Sequence, residues 1–502
     1  MTKQWNVVSA LLTDLYQITM AYAYWRSGKH QEESTFDLFF RKNPFGGEYT
    51  LFAGLEDCLK FVQNYKFQTS DIDYLRETLP THIEKEFYDF LSTLDLNDIK
   101  IYAIPEVTTN AARFRAAVGS NKKFYEFGLR DAQGSDGGLS ASKYCYLGGF
   151  DGTSNVLAGK LYGITLRGTH SYAYVSSYGN LDELKIRDLS DRITGESRPF
   201  VQLCLNYLNE LGPILKIFPD QANKGELTAF IAYAISFPSG FLALIDTYDV
   251  LKSGVPNFLA VALALHQCNY QAIGLRLDSG DLAYLSLEIR ANFVEVARKF
   301  NVSHIERLDI VASGDINEET LLSLESQEHA IDIFDIGAHL VTCQKQPALG
   351  CVYKLVELNG TARIKVSQDI EKLMIPGRKN LYRFYDGNGE ALCDLMTESD
   401  EPEPIAGVRM LCRHPFSETK RAYVTPTTVQ CMYKLYWANG QIQQALPTWQ
   451  EVRIYVQRQI ETLRKDHRRQ LNPTPYKVSV TDHLYSFFHR LWIKSIPIGE
   501  LA

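Results

Sequence analysis

The chain lacks paired cysteine motifs, long apolar runs and an excess of basic residues. Its nine cysteines contain no Cys-x-x-Cys pair, so we expect reduced thiols and neither a disulfide framework nor a zinc site. The net charge of −7 argues against nucleic acid, because binding to a phosphate backbone needs a basic face. With no signal-peptide core and no membrane-spanning run, the sequence predicts a cytoplasmic protein that binds no membrane.

Several well-known catalytic motifs are also missing. The sequence contains no Gly-x-x-x-x-Gly-Lys-Ser/Thr, no Gly-x-Gly-x-x-Gly, no His-Glu-x-x-His and no Gly-x-Ser-x-Gly. These absences argue against P-loop kinases, Rossmann dehydrogenases, zinc proteases of this type and serine hydrolases of the nucleophile-elbow type.

The middle of the chain alternates short apolar strands with helical stretches. Strands are predicted at 241–245, 272–277, 308–312 and 331–336, and helices at 257–266 and 282–300. Such alternation is typical of parallel βαβ units. We therefore predict the α/β class, with an irregular parallel α/β barrel.

The two regions that flank the predicted barrel have a different sequence pattern, which predicts a mixed α+β domain. Residues before 104 combine a helix ending near Gly28 with antiparallel-looking strands, and an Asn359-Gly360 turn predicts a hairpin after the barrel. Thr448 and Glu451 predict a capping box at the start of a late helix. The predicted boundaries are 1–106 for a shortened N-terminal domain, 107–343 for the catalytic barrel and 344–502 for an antiparallel and helical region.

One strand end, Gly274 to Asp281, carries a cation and two carboxylates around a glycine turn. Because the carboxyl ends of barrel strands meet on one rim, these groups are candidates for catalysis. Asp278 and Asp281 suit ribose hydroxyls or a hydrated Mg²⁺ (or Mn²⁺), and Arg276 suits a carboxylate or phosphate. A solvated Arg–Asp ion pair is the plain structural alternative.

Small residues follow the next two predicted strands. Ser313-Gly314 and Gly337-Ala338 let backbone N–H groups approach a phosphate, as the late loops of barrels often do, although each alone is a common turn. The glycine- and hydroxyl-rich run 148–155 suits an anion or an ordinary helix cap. His170 follows another strand end, where a structural role and a reactive role both remain open.

Taken together, these motifs resemble the nicotinate phosphoribosyltransferases, enzymes of the type II phosphoribosyltransferase fold. The resemblance is carried by short motifs in order along the chain, namely 12–17, 40–47, 109–113, 148–159, 246–248, 256–258 and 276–281. It implies that phosphoribose passes from phosphoribosyl pyrophosphate to nicotinate, with ATP hydrolysis, in NAD salvage. It also implies a homodimer with a shared active site.

The resemblance further implies roles for individual residues. Tyr16 stacks on the pyridine across the dimer interface, and Thr169 and Arg276 hold nicotinate. The groups expected at phosphoribosyl pyrophosphate are Ser313, Gly314, Gly337 and Ala338. Asp278 and Asp281 are expected to face the ribose and the metal.

The chain departs from the family pattern at several of these positions. Tyr172 stands where the family has a histidine that ATP phosphorylates, and His170 lies two residues earlier. Asp335 and Ala338 alter the family's Gly-Ile-Gly-Thr loop, Gly314 replaces an asparagine, and several dozen residues are missing after Glu106. These departures favour one alternative, an impaired isoform or paralogue acting as a nucleotide-binding or regulatory subunit. A separate alternative is a type II enzyme acting on nicotinamide or quinolinate.

Overall fold

The protein was analysed as a computed structural model, which describes residues 9–13, 15–40, 43–50, 54–104, 109–118, 121–344, 346, 351–364, 374–469 and 471–495. The chain forms two compact units. One comprises Thr108–Pro347, and the other combines Met1–Val107 with Ala348–Ala502. The junction near Glu106, where the resemblance implies additional residues in the family, lies outside the described residues.

Twenty strands and sixteen α-helices make up the regular structure of the described residues. The strands are β1 Ser34–Phe40, β2 Ile101–Ala103, β3 Lys123–Glu126, β4 Gly152–Thr153, β5 Leu189–Ser190, β6 Ser197–Arg198, β7 Leu242–Leu244, β8 Gly274–Leu277, β9 Asp309–Ala312, β10 Ile333–Ile336, β11 Cys351–Leu358, β12 Thr361–Ala362, β13 Lys379–Tyr385, β14 Ala391–Glu398, β15 Met410–Arg413, β16 Arg421–Val424, β17 Thr428–Cys431, β18 Lys434–Ala438, β19 Gln441–Ile442 and β20 Val478–Thr481. The helices are α1 Leu15–Arg26, α2 Leu55–Gln63, α3 Thr69–Thr78, α4 Lys85–Thr93, α5 Thr109–Val118, α6 Gly134–Leu147, α7 Val156–Tyr162, α8 Tyr172–Ser176, α9 Phe200–Leu215, α10 Lys224–Ser236, α11 Val255–Gln267, α12 Leu282–Phe300, α13 Glu318–Glu325, α14 Ala338–Val341, α15 Trp449–Thr462 and α16 Asp482–Ser495.

The first unit contains the predicted parallel sheet, curled into a half-barrel. Six strands pair in the order β4-β3-β10-β9-β8-β7, and all of these pairings are parallel. The predicted strands became β7, β8, β9 and β10, and the predicted helices became α11 and α12. The α/β class and the parallel βαβ units are therefore confirmed.

The gap between the outer strands β4 and β7 is spanned by an irregular segment. Leu166 forms a parallel bridge with Thr153 of β4, and the Thr169 hydroxyl donates to the carbonyl of Leu242 in β7. The strand predicted to end just before His170 is therefore wrong, because among the described residues this segment makes a single bridge and bonds β7 through side chains.

The core of this unit is built around α11. All residues from Val255 to Leu265 are buried, and Phe258 stacks on Phe241 with ring centroids 5.5 Å apart. Burying a side chain of the Phe or Leu size stabilises a fold by about 1.5–3 kcal/mol. A helix that is apolar on every side needs neighbours all round, and α9, α10 and the sheet strands β7 to β9 contribute to the same core cluster.

The second unit contains the antiparallel sheets. β11 and β12 form a hairpin through Asn359 and Gly360, whose φ angles of 48° and 68° match the left-handed turn that Asn-Gly favours. The Thr448 and Glu451 side chains form the predicted reciprocal cap of α15. Both local predictions are confirmed.

Two predictions from composition concern the whole chain. All nine cysteines are free thiols, as expected from their scattered spacing. Among the described residues, no helix combines the length and hydropathy that crossing a bilayer requires.

Candidate active site

The carboxyl ends of the barrel strands bring polar groups of distant sequence together, as predicted. Leu244 on β7 pairs in register with Arg276 on β8, and Leu277 on β8 pairs with Ala312 on β9. The residues that follow these three strands therefore lie side by side on one rim.

Asp246 is the hub of this rim. Its Oδ2 accepts hydrogen bonds from the Ser279 hydroxyl at 2.5 Å, the Tyr172 phenol at 2.9 Å and the Asp278 amide at 3.1 Å. The residue is only 8% exposed, and its Oδ1 is buried without a hydrogen-bond partner in the described part of the chain. A carboxylate with one satisfied and one unsatisfied oxygen is positioned to receive a further ligand.

Tyr172 lies at this hub and contacts both neighbouring carboxylates. Its Oη is 2.9 Å from Asp246 Oδ2 and 3.4 Å from Asp278 Oδ2. Burial, the hydrogen bond to Asp246 and the negative charges of Asp246 and Asp278 all raise the pKa of the Tyr172 phenol. The phenol is therefore a neutral donor at physiological pH.

The loop after β9 packs tightly against the end of β8. The Ser313 hydroxyl donates to Asp278 Oδ1 at 2.5 Å. Gly314 has a φ of +90°, and a Cβ atom there would lie 2.1 Å from the Asp278 carbonyl oxygen. Both the left-handed backbone and this contact require glycine at the position.

The two aspartates singled out in the sequence have different surroundings. Asp278 bonds Ser313 and faces Tyr172, whereas Asp281 caps α12, its Oδ1 accepting from the Tyr284 amide at 3.1 Å. No cluster of three or more candidate metal ligands occurs in the described residues. Asp246 and Asp278 both accept from the Tyr172 phenol, and this pair suits Mg²⁺, which uses one or two carboxylates together with water and phosphate oxygens.

Beside the carboxylates lies a cavity of about 670 Å³ that contains Arg276. The Arg276 guanidinium lies 5.9 Å from the ring centre of Phe127, and its Nε is buried without a hydrogen-bond partner among the described residues. The cavity is also lined by Thr169, His170, Tyr174 and Tyr233. A half-buried arginine whose Nε has no partner in the described chain, beside aromatic walls, indicates a binding pocket for a planar acid.

The Gly337-Ala338 turn opens α14, at the carboxyl end of β10. A Cβ atom at Gly337 would lie 3.2 Å from Asp131 Oδ2, so this carboxylate lies close to the proposed phosphate loop. Asp335, two residues earlier, is 4% exposed, and its Oδ1 has no hydrogen-bond partner in the described chain. Burial raises the pKa of Asp335 to about 7, Arg276 lowers it and Asp278 raises it.

The raised pKa of Asp335 predicts a stability that depends on pH. An aspartate in the unfolded chain ionises near 3.8, whereas Asp335 in the folded protein holds its proton until about pH 7. The free energy of unfolding therefore falls as the pH rises from about 4 through 7. We expect Asp335→Asn, which mimics the protonated acid, to stabilise the protein by about 2–4 kcal/mol at pH 8 and by little at pH 4.

Urea unfolding of the wild type and the variant at both pH values measures this effect. Asp188→Asn, at an exposed position of the same unit, is the matched control. Equal unfolding midpoints for Asp335→Asn and wild type at pH 8 would show that the Asp335 carboxyl is not desolvated.

The glycine- and hydroxyl-rich run at 148–155 is occupied by internal contacts. Thr153 Oγ1 and Ser142 Oγ both donate to the buried Glu126 Oε2, at 2.6 and 2.7 Å. Asn155 caps α7 by accepting from the Ala158 amide. Of the two interpretations of this run, the described contacts favour the structural one.

Sequence reasoning did not identify some residues that the structure brings to the site. Phe127 and Tyr233 line the cavity although neither belongs to a recognisable motif. The polar run Asp246-Thr247-Tyr248 after an apolar strand was the available signal for Asp246. Spacing alone did not show which of the three residues collects the hydrogen bonds. Tyr16 belongs to α1, and its side chain lies outside the described residues.

Two family models match this chain. Residues 11–116 match the nicotinate phosphoribosyltransferase N-terminal domain, and residues 378–488 match the C-terminal domain. The chain is 50% identical to nicotinate phosphoribosyltransferase of Caenorhabditis elegans, covering 100% of this chain and 96% of the relative. Nicotinate phosphoribosyltransferase 2 of Arabidopsis thaliana is also 50% identical, over 99% of this chain and 96% of the relative.

The fold is similar to that of a solved structure as well. The crystal structure of human nicotinic acid phosphoribosyltransferase superposes with a TM-score of 0.84 at 35% identity, covering 96% of this chain and 100% of that chain. The alignment with the Caenorhabditis elegans relative extends over 543 positions against 502 residues here. This chain therefore lacks residues that the relative has.

Proposed function

This chain belongs to the nicotinate phosphoribosyltransferase family, and we propose that its barrel rim transfers phosphoribose from phosphoribosyl pyrophosphate to nicotinate. The product is nicotinate mononucleotide, an intermediate of NAD biosynthesis by salvage. The observation that carries the proposal is Arg276, a cation that lines a cavity beside the Asp246–Asp278 pair and whose buried Nε has no partner in the described chain.

In this proposal the pyridine acid occupies the cavity. Arg276 binds the carboxylate of nicotinate through its planar guanidinium, and Thr169 lines the same cavity. The ring of the substrate lies between aromatic side chains, to which Tyr16 of the partner subunit contributes.

The support for a dimer is that α1, which carries Tyr16, exposes Leu15, Met20 and Tyr24 to solvent. A native mass close to that of one 57.0 kDa chain would contradict it.

The activated sugar occupies the neighbouring part of the rim. Backbone N–H groups of Gly314, Gly337 and Ala338 bind the 5-phosphate, whereas the Ser313 amide already donates to the Leu277 carbonyl at 2.8 Å. Asp278 faces the ribose, and Asp281 caps the helix that follows. Asp246 and Asp278 are the residues that would hold Mg²⁺. When bound, the ion would neutralise negative charge on the pyrophosphate.

The work of the protein in this reaction is positioning and electrostatics. Nicotinate held by Arg276 presents its ring nitrogen to the ribosyl carbon, which becomes positively charged as pyrophosphate departs. The carboxylate of Asp278 stabilises this developing charge, and Ser313 and Tyr172 hold the carboxylate in place by hydrogen bonds. No covalent intermediate with a side chain is required.

The family resemblance implies ATP as a coupled substrate. This chain differs from the family pattern at Tyr172, the position of the histidine that ATP phosphorylates. His170 lies two residues away but is only 9% exposed, and its ring packs against Tyr174 and Tyr233. We propose that coupling to ATP depends on residue 172, because the more exposed side chain there lies beside both carboxylates.

Incubating the purified full chain with nicotinate, phosphoribosyl pyrophosphate and Mg²⁺, with and without ATP, tests the proposed function. We expect nicotinate mononucleotide as the product, resolved by chromatography. Nicotinamide and quinolinate supplied in parallel should give far less product. Absence of any mononucleotide at micromolar enzyme would contradict the proposal and favour the regulatory-subunit alternative.

A further inference from the structure

The proton position on His170 is set by the backbone of the adjacent strand. The Leu244 amide donates to His170 Nε2 at 3.4 Å, so Nε2 is the unprotonated nitrogen. Burial lowers the pKa of His170 to about 4, the backbone of Ser171 opposes this shift, and Arg276 lowers the pKa further. The ring is therefore neutral at pH 7, and its single proton is on Nδ1.

That Nδ1 donor is buried, and no acceptor among the described residues meets it in hydrogen-bond geometry. The backbone of Ser171 is near enough to raise the pKa of the ring but not aligned to accept from Nδ1. A buried donor left unpaired destabilises a protein, so such groups call for a partner. The ring has little freedom to find another one, since it packs against Tyr174, Phe230 and Tyr233 with centroids 5.2, 5.9 and 5.0 Å away.

A second donor, on Arg276, lines the same cavity as His170. Its positive charge is close enough to lower the pKa of His170. Arg276 Nε is likewise buried without a partner in the described chain. Two N–H donors match a carboxylate, which accepts through both oxygens, whereas the NH₂ group of a carboxamide would meet a donor.

We propose that His170 is a specificity-determining residue that distinguishes an aromatic carboxylate from the corresponding carboxamide. Its Nδ1–H donates to one carboxylate oxygen while Arg276 binds the other. The identity of the ring as a pyridine rests on the proposed function. The discrimination by donor geometry rests on the described contacts of His170 and Arg276 alone.

Two substitutions at this position separate the donor from the ring. His170→Phe keeps an aromatic ring and removes the N–H, whereas His170→Asn restores an amide N–H on the atom that follows Cγ, where Nδ1 is. Calorimetric titration with nicotinate and with nicotinamide measures binding, and steady-state kinetics gives kcat and KM for each.

We expect His170→Phe to weaken nicotinate binding by about 10- to 100-fold, with kcat changed less than about threefold. Nicotinamide binding should change little, and His170→Asn should recover most of the lost affinity for nicotinate. Equal losses for both pyridines, or an Asn variant as impaired as the Phe variant, would show a merely structural role and overturn the proposal.

The pH dependence of binding provides an independent readout. The ionisable side chains that surround the ring are Arg276 on β8, Tyr174 on α8 and Tyr233 on α10. A neutral Nδ1–H donor predicts wild-type affinity for nicotinate that is level between pH 5.5 and 8. Affinity that declines above about pH 6.5 would indicate a charged imidazole and contradict the proposal.

Binding and turnover distinguish this proposal from the proposed function. Nicotinate that binds without forming mononucleotide would defeat the proposed function and leave the role of His170 standing. Mononucleotide formation with unchanged selectivity in His170→Phe would defeat only the role of His170. Failure of the wild type to bind nicotinate more tightly than nicotinamide would overturn it directly.

Discussion

Replacing Arg276 by lysine is expected to lower kcat/KM for nicotinate by about 10²- to 10³-fold, mainly by raising KM. The guanidinium is planar and presents parallel N–H groups to a carboxylate, whereas an ammonium group is a single compact charge. The loss corresponds to about 2.7–4 kcal/mol of binding. Initial rates of mononucleotide formation over a range of nicotinate concentrations measure the effect.

The matched control is Arg307→Lys in the same unit, because the Arg307 side chain is 84% exposed. We expect this control to retain wild-type kinetics. Circular dichroism and the Tm of the Arg276 variant should match those of the wild type, since the guanidinium Nε has no partner to lose in the described chain. An unchanged KM for nicotinate would mean that Arg276 does not bind the acid.

Replacing Tyr172 by histidine is expected to increase the stimulation of turnover by ATP about tenfold over that of the wild type. Tyr172 lies against Asp246 and Asp278 with a raised pKa, so its phenol is a neutral donor and a poor phosphoryl acceptor. An imidazole hydrogen-bonded to a carboxylate is a better nucleophile toward ATP. The measurement is the ratio of mononucleotide formation with ATP to that without it.

Two comparisons make the Tyr172 experiment specific. Tyr172→Phe keeps the ring and removes the hydroxyl, so it should lower turnover without adding any response to ATP. Acid-labile and base-stable phosphate incorporated from labelled ATP should accumulate in the histidine variant alone. A histidine variant whose response to ATP equals that of the wild type would show that residue 172 does not decide the coupling.

The barrel strands and helices were predictable because their signals are local. Leu282 to Phe300 formed one helix at the predicted bounds, capped by Asp281 and ended by Asn301 in a left-handed conformation. The short strands β3 and β4 were not predicted. β4 has only two residues, and its neighbour at Leu166 bonds through a single bridge, so neither produces a periodic pattern.

The candidate site was partly predictable for the same reason. Arg276 lies near the end of an apolar strand, and Asp278 and Ser313 follow such strands. The rule that strand ends share one rim brings them together. The different roles of the individual carboxylates were not predictable from the sequence. Asp281 caps a helix and Asp246 collects three donors, and only the spatial positions of Tyr172 and Ser279 distinguish these two roles.

The sequence by itself determined the α/β class, the reduced thiols, the family and the group of residues at the strand ends, because each depends on neighbours in the chain. The tertiary structure alone decided which groups lack partners. His170 Nδ1, Arg276 Nε and Asp246 Oδ1 are buried without a described acceptor or donor because the barrel register excludes water from them and supplies no protein partner. Burial and pairing are properties of surroundings that come from distant parts of the chain, and no local pattern records them.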